Sequence, residues 1–349
     1  MRLLFATSVS YLPEGVGGMQ TSTHALARRM QAAGVAVAAY AASRRPGQLA
    51  EDPNEPPRLA QDDLLGYPTF RASKPLRSFG EALDRWPADI VVLPYGTGTA
   101  ALAALALARG LKLILYVHSV EPRDMSAFIL EQPGIVYVAN SAFTAARLRA
   151  LLGIEARILP PVIESEDYRV AESGDAVVMI NPTIHKGAEI FFRLAAARPR
   201  QRFLAIESWG LARTWRAILA NRAAALGNVE LWQPLADMRE AFRQTRLLLM
   251  PSGHEETFGR SVAEAQISGI PALVSDRGAL PETVGAGGLA VPLDAEPEAW
   301  AQALDRLLQD PAEYARRSAA ARAQAEAPTR DPAIIAEAFL CLARDLMRR

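Results

Sequence analysis

Residues 251–282, PSGHEETFGRSVAEAQISGIPALVSDRGALPE, decide how this chain is read. An apolar strand, Leu247 to Met250, runs into the stretch, and a second strand, Ala272 to Ser275, lies within it. Between them Phe258-Gly259-Arg260-Ser261 is a loop turning into a helix, and a further helix opens at Pro281-Glu282. A buried strand, a glycine turn and a helix start together aim backbone N–H groups at a ligand, and a helix start favours phosphate. Two carboxylates, Glu256 and Glu264, stand with seven residues between them. A carboxylate repels phosphate, so these two suit the hydroxyls of what the phosphate carries, ribose or sugar. The plain alternative is a solvated helix face with ordinary charges.

The same alternation extends in both directions. Strands are expected at Leu3–Ala6, Val35–Tyr40, Ile90–Leu93, Leu113–Val117, Ile135–Ala139 and Arg157–Leu159. A second series follows at Ala176–Ile180, Arg202–Ile206, Val229–Trp232, Leu247–Met250, Ala272–Ser275 and Leu289–Val291. Short apolar strands alternating with Ala/Leu/Arg helical patterns mean βαβ units and parallel sheets. Two series imply two doubly wound domains, placed at 1–165 and 166–330, with the polar, proline-containing segment from Pro160 to Gly174 as the linker. Ser43 to Pro68 reads as an exposed loop, Thr99 to Ala108 as a buried helix, and about Ala333 to Arg348 as a final amphipathic helix. Such folds bind ligands beyond the carboxyl ends of their strands, and two of them facing each other place the site in a cleft.

Bulk properties narrow the classes. A length of 349 residues suits about two domains, and half of the residues are hydrophobic. The formal net charge is zero, which argues against nucleic acid as a partner. One cysteine, Cys341, excludes an internal disulfide and a cysteine zinc cluster, and a cytoplasmic location is expected. The opening MRLLFATSVS is too short an apolar run for a signal peptide, and no window reaches a membrane span of about 18 apolar residues. Only three of the 38 basic residues are lysines (Lys74, Lys112 and Lys186), so each merits attention. The four histidines, His24, His118, His185 and His254, are too scattered to read as metal ligands.

The motif resembles the donor-binding signature of the retaining glycosyltransferases of family 4, which have the two-domain GT-B fold. Their pattern is Glu, seven residues, Glu, with Phe-Gly between and a later Gly-x-x-Pro-Glu. Here it reads Glu256, Phe258-Gly259, Glu264-Ala265, then Gly278 and Pro281-Glu282. The resemblance implies that Glu264 holds ribose hydroxyls and Glu256 sugar hydroxyls, with Thr257, Phe258, Gly259 and Arg260 completing the donor site. It implies that Gly17-Gly18, after the first strand, lie beside the donor diphosphate, and that His118, at a strand end, lies near the transferred sugar. Asn140-Ser141 match a strand-end pattern of the family, but Ser or Asn there is equally a helix cap. In Asn181-Pro182-Thr183-Ile184-His185-Lys186-Gly187, Lys186 falls where the family's diphosphate lysine stands, and Asn181 replaces its arginine. One positive charge is therefore missing, with His185, Arg260 or Arg277 as candidates to supply it. The resemblance also implies that the final helix, residues 331–349, crosses back to the first domain.

Other features carry less. Glu121 and Arg123 are weaker acceptor candidates, and Glu207, in Glu207-Ser208-Trp209-Gly210, has no assignable role. Trp232 could pack on a base, though core packing is the better reading. Phe70 to Phe79 interleaves Arg71, Lys74 and Arg77 with apolar residues, and could meet an anionic or lipid-linked acceptor at a membrane surface; a solvated basic loop is the plainer reading. The expectation is a retaining, metal-independent glycosyltransferase. It would move a hexose-type sugar from a nucleotide-diphospho sugar to a hydroxyl acceptor, in polysaccharide or glycoconjugate biosynthesis. Catalysis would rest on His118, Glu256 and Lys186. The rivals are a sugar-nucleotide epimerase or phosphorylase on the same fold, and a catalytically inactive nucleotide-sugar-binding protein.

Overall fold

The computed structural model describes residues 1–43, 55–96, 98–121, 133–208 and 211–349. Arg123, Trp209-Gly210 and the first part of the expected loop, 44–54, lie outside the described residues. The chain divides into two compact units, Met1–Val162 with Pro332–Arg349, and Ile163–Asp331. The segment read as a linker belongs largely to the second: Ile163, Tyr168 and Val170 are buried in its core.

Unit 1 contains β1 (Arg2–Ser10), α1 (Gly18–Ala32), β2 (Ala36–Ala42), β3 (Leu59–Asp62), β4 (Thr69–Ala72), α2 (Pro75–Arg85), β5 (Ile90–Tyr95) and α3 (Thr99–Leu107). It continues with β6 (Lys112–Val117), β7 (Ile135–Ala139), α4 (Ala142–Leu152) and β8 (Arg157–Ile158). Its sheet runs β3-β4-β2-β1-β5-β6-β7-β8, parallel except for β3. Side chains alternate across a strand, so a sheet covered on both faces reads as a continuous apolar run. Leu3 and Phe5 of β1 face α1 and the final helix α12 (Pro332–Arg348), whereas Leu4 and Ala6 face α2, α3 and α4. Lys112 explains one retained lysine: its Nζ donates to the Leu346 and Met347 carbonyls at 2.6 and 3.1 Å, satisfying the end of α12.

Two expectations for unit 1 are overturned. Part of the stretch read as a loop forms β3, which pairs antiparallel with the unpredicted β4. The basic segment from Phe70 is not a solvated loop: it forms β4 and leads into α2. Arg71 is buried against Asp62 and donates to the Leu12 carbonyl at 2.8 Å, and Lys74 is buried and donates to the Glu55 carbonyl. Only Arg77 of the three is exposed. Alternating basic and apolar residues read as a surface pattern, but buried arginines with local acceptors produce the same string. Among the described residues no helix is long and apolar enough to cross a membrane.

Unit 2 contains β9 (Ala176–Ile180), α5 (Ala188–Ala197), β10 (Phe203–Ile206), α6 (Arg213–Leu226), β11 (Val229–Trp232), α7 (Met238–Gln244) and β12 (Thr245–Met250). It ends with α8 (Arg260–Ile267), β13 (Ala272–Ser275), α9 (Leu280–Val284), β14 (Gly288–Val291), α10 (Pro297–Gln309) and α11 (Pro311–Ala325). All strands are parallel in the order β11-β10-β9-β12-β13-β14. The order reverses between β9 and β12, and the helices that follow them, α5 and α8, pack on opposite faces of the sheet. This opens the crevice in which doubly wound sheets hold ligands.

In unit 1, His24 Nδ1 lies 2.7 Å from the Tyr67 hydroxyl, which lies 2.9 Å from that of buried Tyr11. Burial, with the charge of Arg28 beside it, lowers the His24 pKa below its ordinary value. The unfolded chain therefore takes up the proton first, and this contribution to stability is present above about pH 6.5 and lost as pH falls through the lowered value. The melting temperature should drop as pH falls below about 6.5, and His24→Asn should flatten that part of the profile. An unchanged profile in the variant would show that His24 does not carry this dependence.

Candidate functional site

Parallel pairing of β9 with β12 sets the loops after these strands side by side. They are fastened to each other: the Gly253 amide donates to the His185 carbonyl at 2.8 Å. Gly187 has φ of 85°, in the left-handed region, and a Cβ there would overlap the Pro251 carbonyl. Gly278 does the same for the second loop, since a Cβ there would overlap the Glu256 backbone, and the Ala279 amide donates to the Glu256 carbonyl at 2.7 Å. These contacts bring together two residues seventy positions apart. Lys186 Nζ forms an ion pair with Glu256 Oε1, the side chains 17% and 12% exposed. The Ser252 hydroxyl donates to the same oxygen at 2.9 Å, and the Ser275 hydroxyl fixes the Ser252 carbonyl at 2.6 Å. Ser252 is fully buried, and sequence reasoning missed it. A small cavity of about 10 Å³ lies at the strand ends, lined by Ile180, Lys186, Met250 and Ser261, room for about one water.

Glu264 sits one turn into α8, buried and paired with Arg260 at 2.6 Å. Arg260 also donates to the Tyr168 hydroxyl at 2.9 Å. Burial pushes the Glu264 carboxyl up from its ordinary pKa against the opposing pull of Arg260, and burial raises Tyr168 to about 12. Arg260 is thus paired with Glu264 and Tyr168 in this structure. Arg277 lies 3.6 Å from Asp276. Gly259 has φ of 78° at the start of α8, where a Cβ would meet the Leu280 side chain. Phe258 is buried in the core, with the Arg330 guanidinium 5.8 Å from its ring centre, and anchors the turn. Burial lowers Arg330 to about 10, and Arg330 donates to Gln266 at 2.5 Å and to the Thr283 carbonyl at 2.8 Å. Thr257 lies between Glu256 and Phe258 and is half-buried.

Asn181, directly after β9, is 3% exposed with φ of 60°, and neither polar atom of its carboxamide has a partner among the described residues. Asparagine is among the few residues that tolerate this backbone state. Buried polar groups are otherwise nearly always bonded, so an orphaned amide at a strand end points to a ligand or a water. Glu207 also acquires a role. Burial alone would raise its carboxyl, but Arg216 and the Leu211 amide, at 2.6 and 2.7 Å, outweigh it and hold it below the usual range. It ties the end of β10 to α6, from which Trp215 donates to the Pro182 carbonyl at 2.9 Å. Trp232 packs against the core beneath β9 and β10, as core packing predicted.

In unit 1, Gly17 and Gly18 open α1 after β1, and Thr21 Oγ1 donates to the Gly17 carbonyl at 3.0 Å. The loop is held by the Gly15 amide on the Tyr11 carbonyl at 2.9 Å. His118 follows β6, its ring centre 4.5 Å from that of Tyr116. Glu121 has its amide 3.3 Å from the Ser119 hydroxyl. Ser141 caps α4 by accepting from the Thr144 amide at 3.0 Å, and Asn140 accepts from the Thr144 hydroxyl at 2.9 Å, so this pair builds a cap. A far larger concavity, about 1110 Å³, lies between β7, β8 and α12. Tyr137, Arg157, Cys341 and Asp345 line it, and none of the residues singled out for chemistry does. Among the described residues no group of three or more His, Cys, Asp or Glu could hold a metal ion.

Comparison with known proteins bears on the family and the fold. The model of Glycosyltransferase Family 4 matches residues 16–167, and that of Glycosyl transferases group 1 matches residues 178–310. A D-inositol 3-phosphate glycosyltransferase of Streptomyces griseus is 39% identical over 112 residues, 31% of this chain and 23% of that protein. A namesake from Thermobispora bispora is 35% identical over 118 residues, 32% of this chain and 27% of that protein. The matched stretches thus span about a quarter of each relative's length. Among solved structures, sucrose-phosphate synthase from Thermosynechococcus elongatus superposes with a TM-score of 0.81 at 18% identity, covering 99% of each chain. Anabaena HepE in complex with UDP-glucose gives 0.79 at 14% identity, covering 99% of this chain and 100% of that one.

Replacing Gly187 by Ala should destabilise unit 2 by at least about 2 kcal/mol, because left-handed strain adds to overlap with the Pro251 carbonyl. Urea unfolding measures it; an unchanged midpoint would show that the two loops are not locked together. With the sheet order, the reversal at β9 and β12, the motif geometry and these matches in hand, the chain belongs to glycosyltransferase family 4, the glycosyl transferases group 1, with the GT-B fold.

Proposed function

We propose that the protein transfers a hexose-type sugar from a nucleotide-diphospho sugar to a hydroxyl acceptor, with retention at the anomeric carbon. The observation that carries this reading is the meeting of Lys186 and Glu256 at the strand-order reversal of unit 2, beside the start of α8. HepE, solved with UDP-glucose, shares the fold, and the curated relatives are named as glycosyltransferases. In this reading Lys186 and the α8 start hold the diphosphate, Glu256 the sugar hydroxyls, and Glu264, steadied by Arg260, the ribose hydroxyls. Asn181, in place of an arginine, offers its carboxamide to the same donor. From unit 1 the reading takes His118 and the Gly17-Gly18 loop as contacts for sugar and acceptor.

The chemistry asks little covalent work of the chain. The acceptor oxygen bonds to the anomeric carbon as the bond from that carbon to the phosphate oxygen breaks. The electron pair goes to the diphosphate, which takes up the acceptor proton. Negative charge develops on the leaving phosphate, and a preorganised cation and helix start stabilise it where it forms. Lys186 supplies that cation. We propose that no metal is needed and that the enzyme acts in polysaccharide or glycoconjugate synthesis.

A thermal-shift screen against UDP, GDP, ADP, dTDP and CDP, with and without EDTA, tests the donor site, because a ligand of the folded state raises the melting temperature. One EDTA-insensitive hit, weakened about tenfold or more by Lys186→Ala, is expected. Full affinity in that variant would move the phosphate site elsewhere. Asn181 favours one rival, a protein that binds the donor without transferring it; nucleotide binding with no release of nucleoside diphosphate in the presence of candidate acceptors would support that rival.

A further inference from the structure

We propose that Lys186 exchanges partners during donor recognition: it leaves Glu256 for the diphosphate and thereby uncovers Glu256 for the sugar. This rests on the donor reading above. The lysine is already neutralised in the structure, its ammonium held by Glu256 Oε1. An ammonium so paired is a poor phosphate site, since its charge is matched and the carboxylate itself repels the anion. A diphosphate carries more charge than one carboxylate and can draw the lysine away, the more readily because both side chains are largely withdrawn from water.

The two partners of Glu256 differ in mobility. Lys186 reaches it on a flexible four-carbon stem. Ser252 reaches the same oxygen at 2.9 Å from a fully buried position, its own carbonyl pinned by Ser275. When the lysine leaves, the serine stays, so Ser252 is a positioning residue that keeps the carboxylate in place. Glu256 is then short of donors in a partly buried site, which is costly unless new ones arrive. The hydroxyls of a sugar are such donors. A bare nucleoside diphosphate takes the lysine without compensating Glu256; a nucleotide sugar compensates it.

Two consequences follow for specificity. The site prefers a nucleotide sugar to the corresponding nucleoside diphosphate. After transfer, with the sugar gone, Lys186 swings back to Glu256 and loosens the diphosphate product. Glu256 therefore acts against product retention as well as for sugar binding.

Calorimetric titration of the wild type, Glu256→Gln, Ser252→Ala and Ser252→Thr with the nucleoside diphosphate found in the screen, and with its glucose conjugate, tests the exchange. Glu256→Gln should bind the nucleoside diphosphate about tenfold more tightly than the wild type and lose its preference for the sugar conjugate. Ser252→Ala should shift nucleoside diphosphate affinity by less than about twofold while losing about tenfold for the conjugate, and Ser252→Thr should restore the conjugate. Equal or weaker nucleoside diphosphate binding by a folded Glu256→Gln overturns the exchange. If that variant does not fold, parallel losses for both ligands in Ser252→Ala overturn it. Failure of the wild type to bind any of these nucleotides is instead the failure of the donor reading, and the exchange falls with it.

Discussion

The pairing of β9 with β12 is the constraint on which the site depends. Both strands run parallel in the middle of a six-stranded sheet, and the strand order reverses between them. Their following loops start side by side, so residues seventy positions apart in sequence share a few ångströms of space. Gly187 lets backbone meet backbone there, Gly278 does so between the loop after β13 and Glu256, and any side chain in their place would force the loops apart. The Lys186–Glu256 pair is a consequence of this packing rather than its cause.

Charge is balanced locally throughout the site. Lys186 is set against Glu256, and Arg260 against Glu264, so the site presents two matched pairs and one orphaned amide at Asn181. A buried pair contributes little net stability, because desolvation offsets its attraction, but breaking one by removing a partner is expensive. Such pairs are better understood as preset geometry. Arg260 fixes the direction of Glu264, Tyr168 fixes Arg260, and Arg330 supports Phe258 and the turn into α8. Of these supports, Tyr168 lies just inside the boundary at Ile163 and Arg330 just before Pro332.

Much of this was legible in the sequence, for a physical reason. Strands covered on both faces read as apolar runs and stand out against polar loops; all twelve expected strands return, Arg157–Leu159 as the exposed edge strand β8. The edge strand β3 and its neighbour β4 were not legible, because Leu59-Ala60-Gln61-Asp62 has no apolar run and Thr69–Ala72 contains an arginine. Arg71 and Lys74 misled for a related reason: burial depends on acceptors such as Asp62 and the Glu55 carbonyl, which no local pattern reveals. In the candidate site, Glu256, Lys186 and Glu264 were singled out by their spacing and resemblance, and the structure brings Lys186 and Glu256 together. Ser252 was invisible because a serine between proline and glycine reads as a turn. The commitment of Arg260 to Glu264 could have been suspected from their i, i+4 spacing on a helix.

The most direct test of the central claim is a crystal structure of the protein with the nucleoside diphosphate that stabilises it. The account predicts the diphosphate at the carboxyl ends of β9 and β12, within hydrogen-bond distance of Lys186 Nζ and the start of α8, with the ribose on Glu264. Density for the nucleotide anywhere else, or a Lys186 still paired with Glu256 beneath a bound diphosphate, would contradict it.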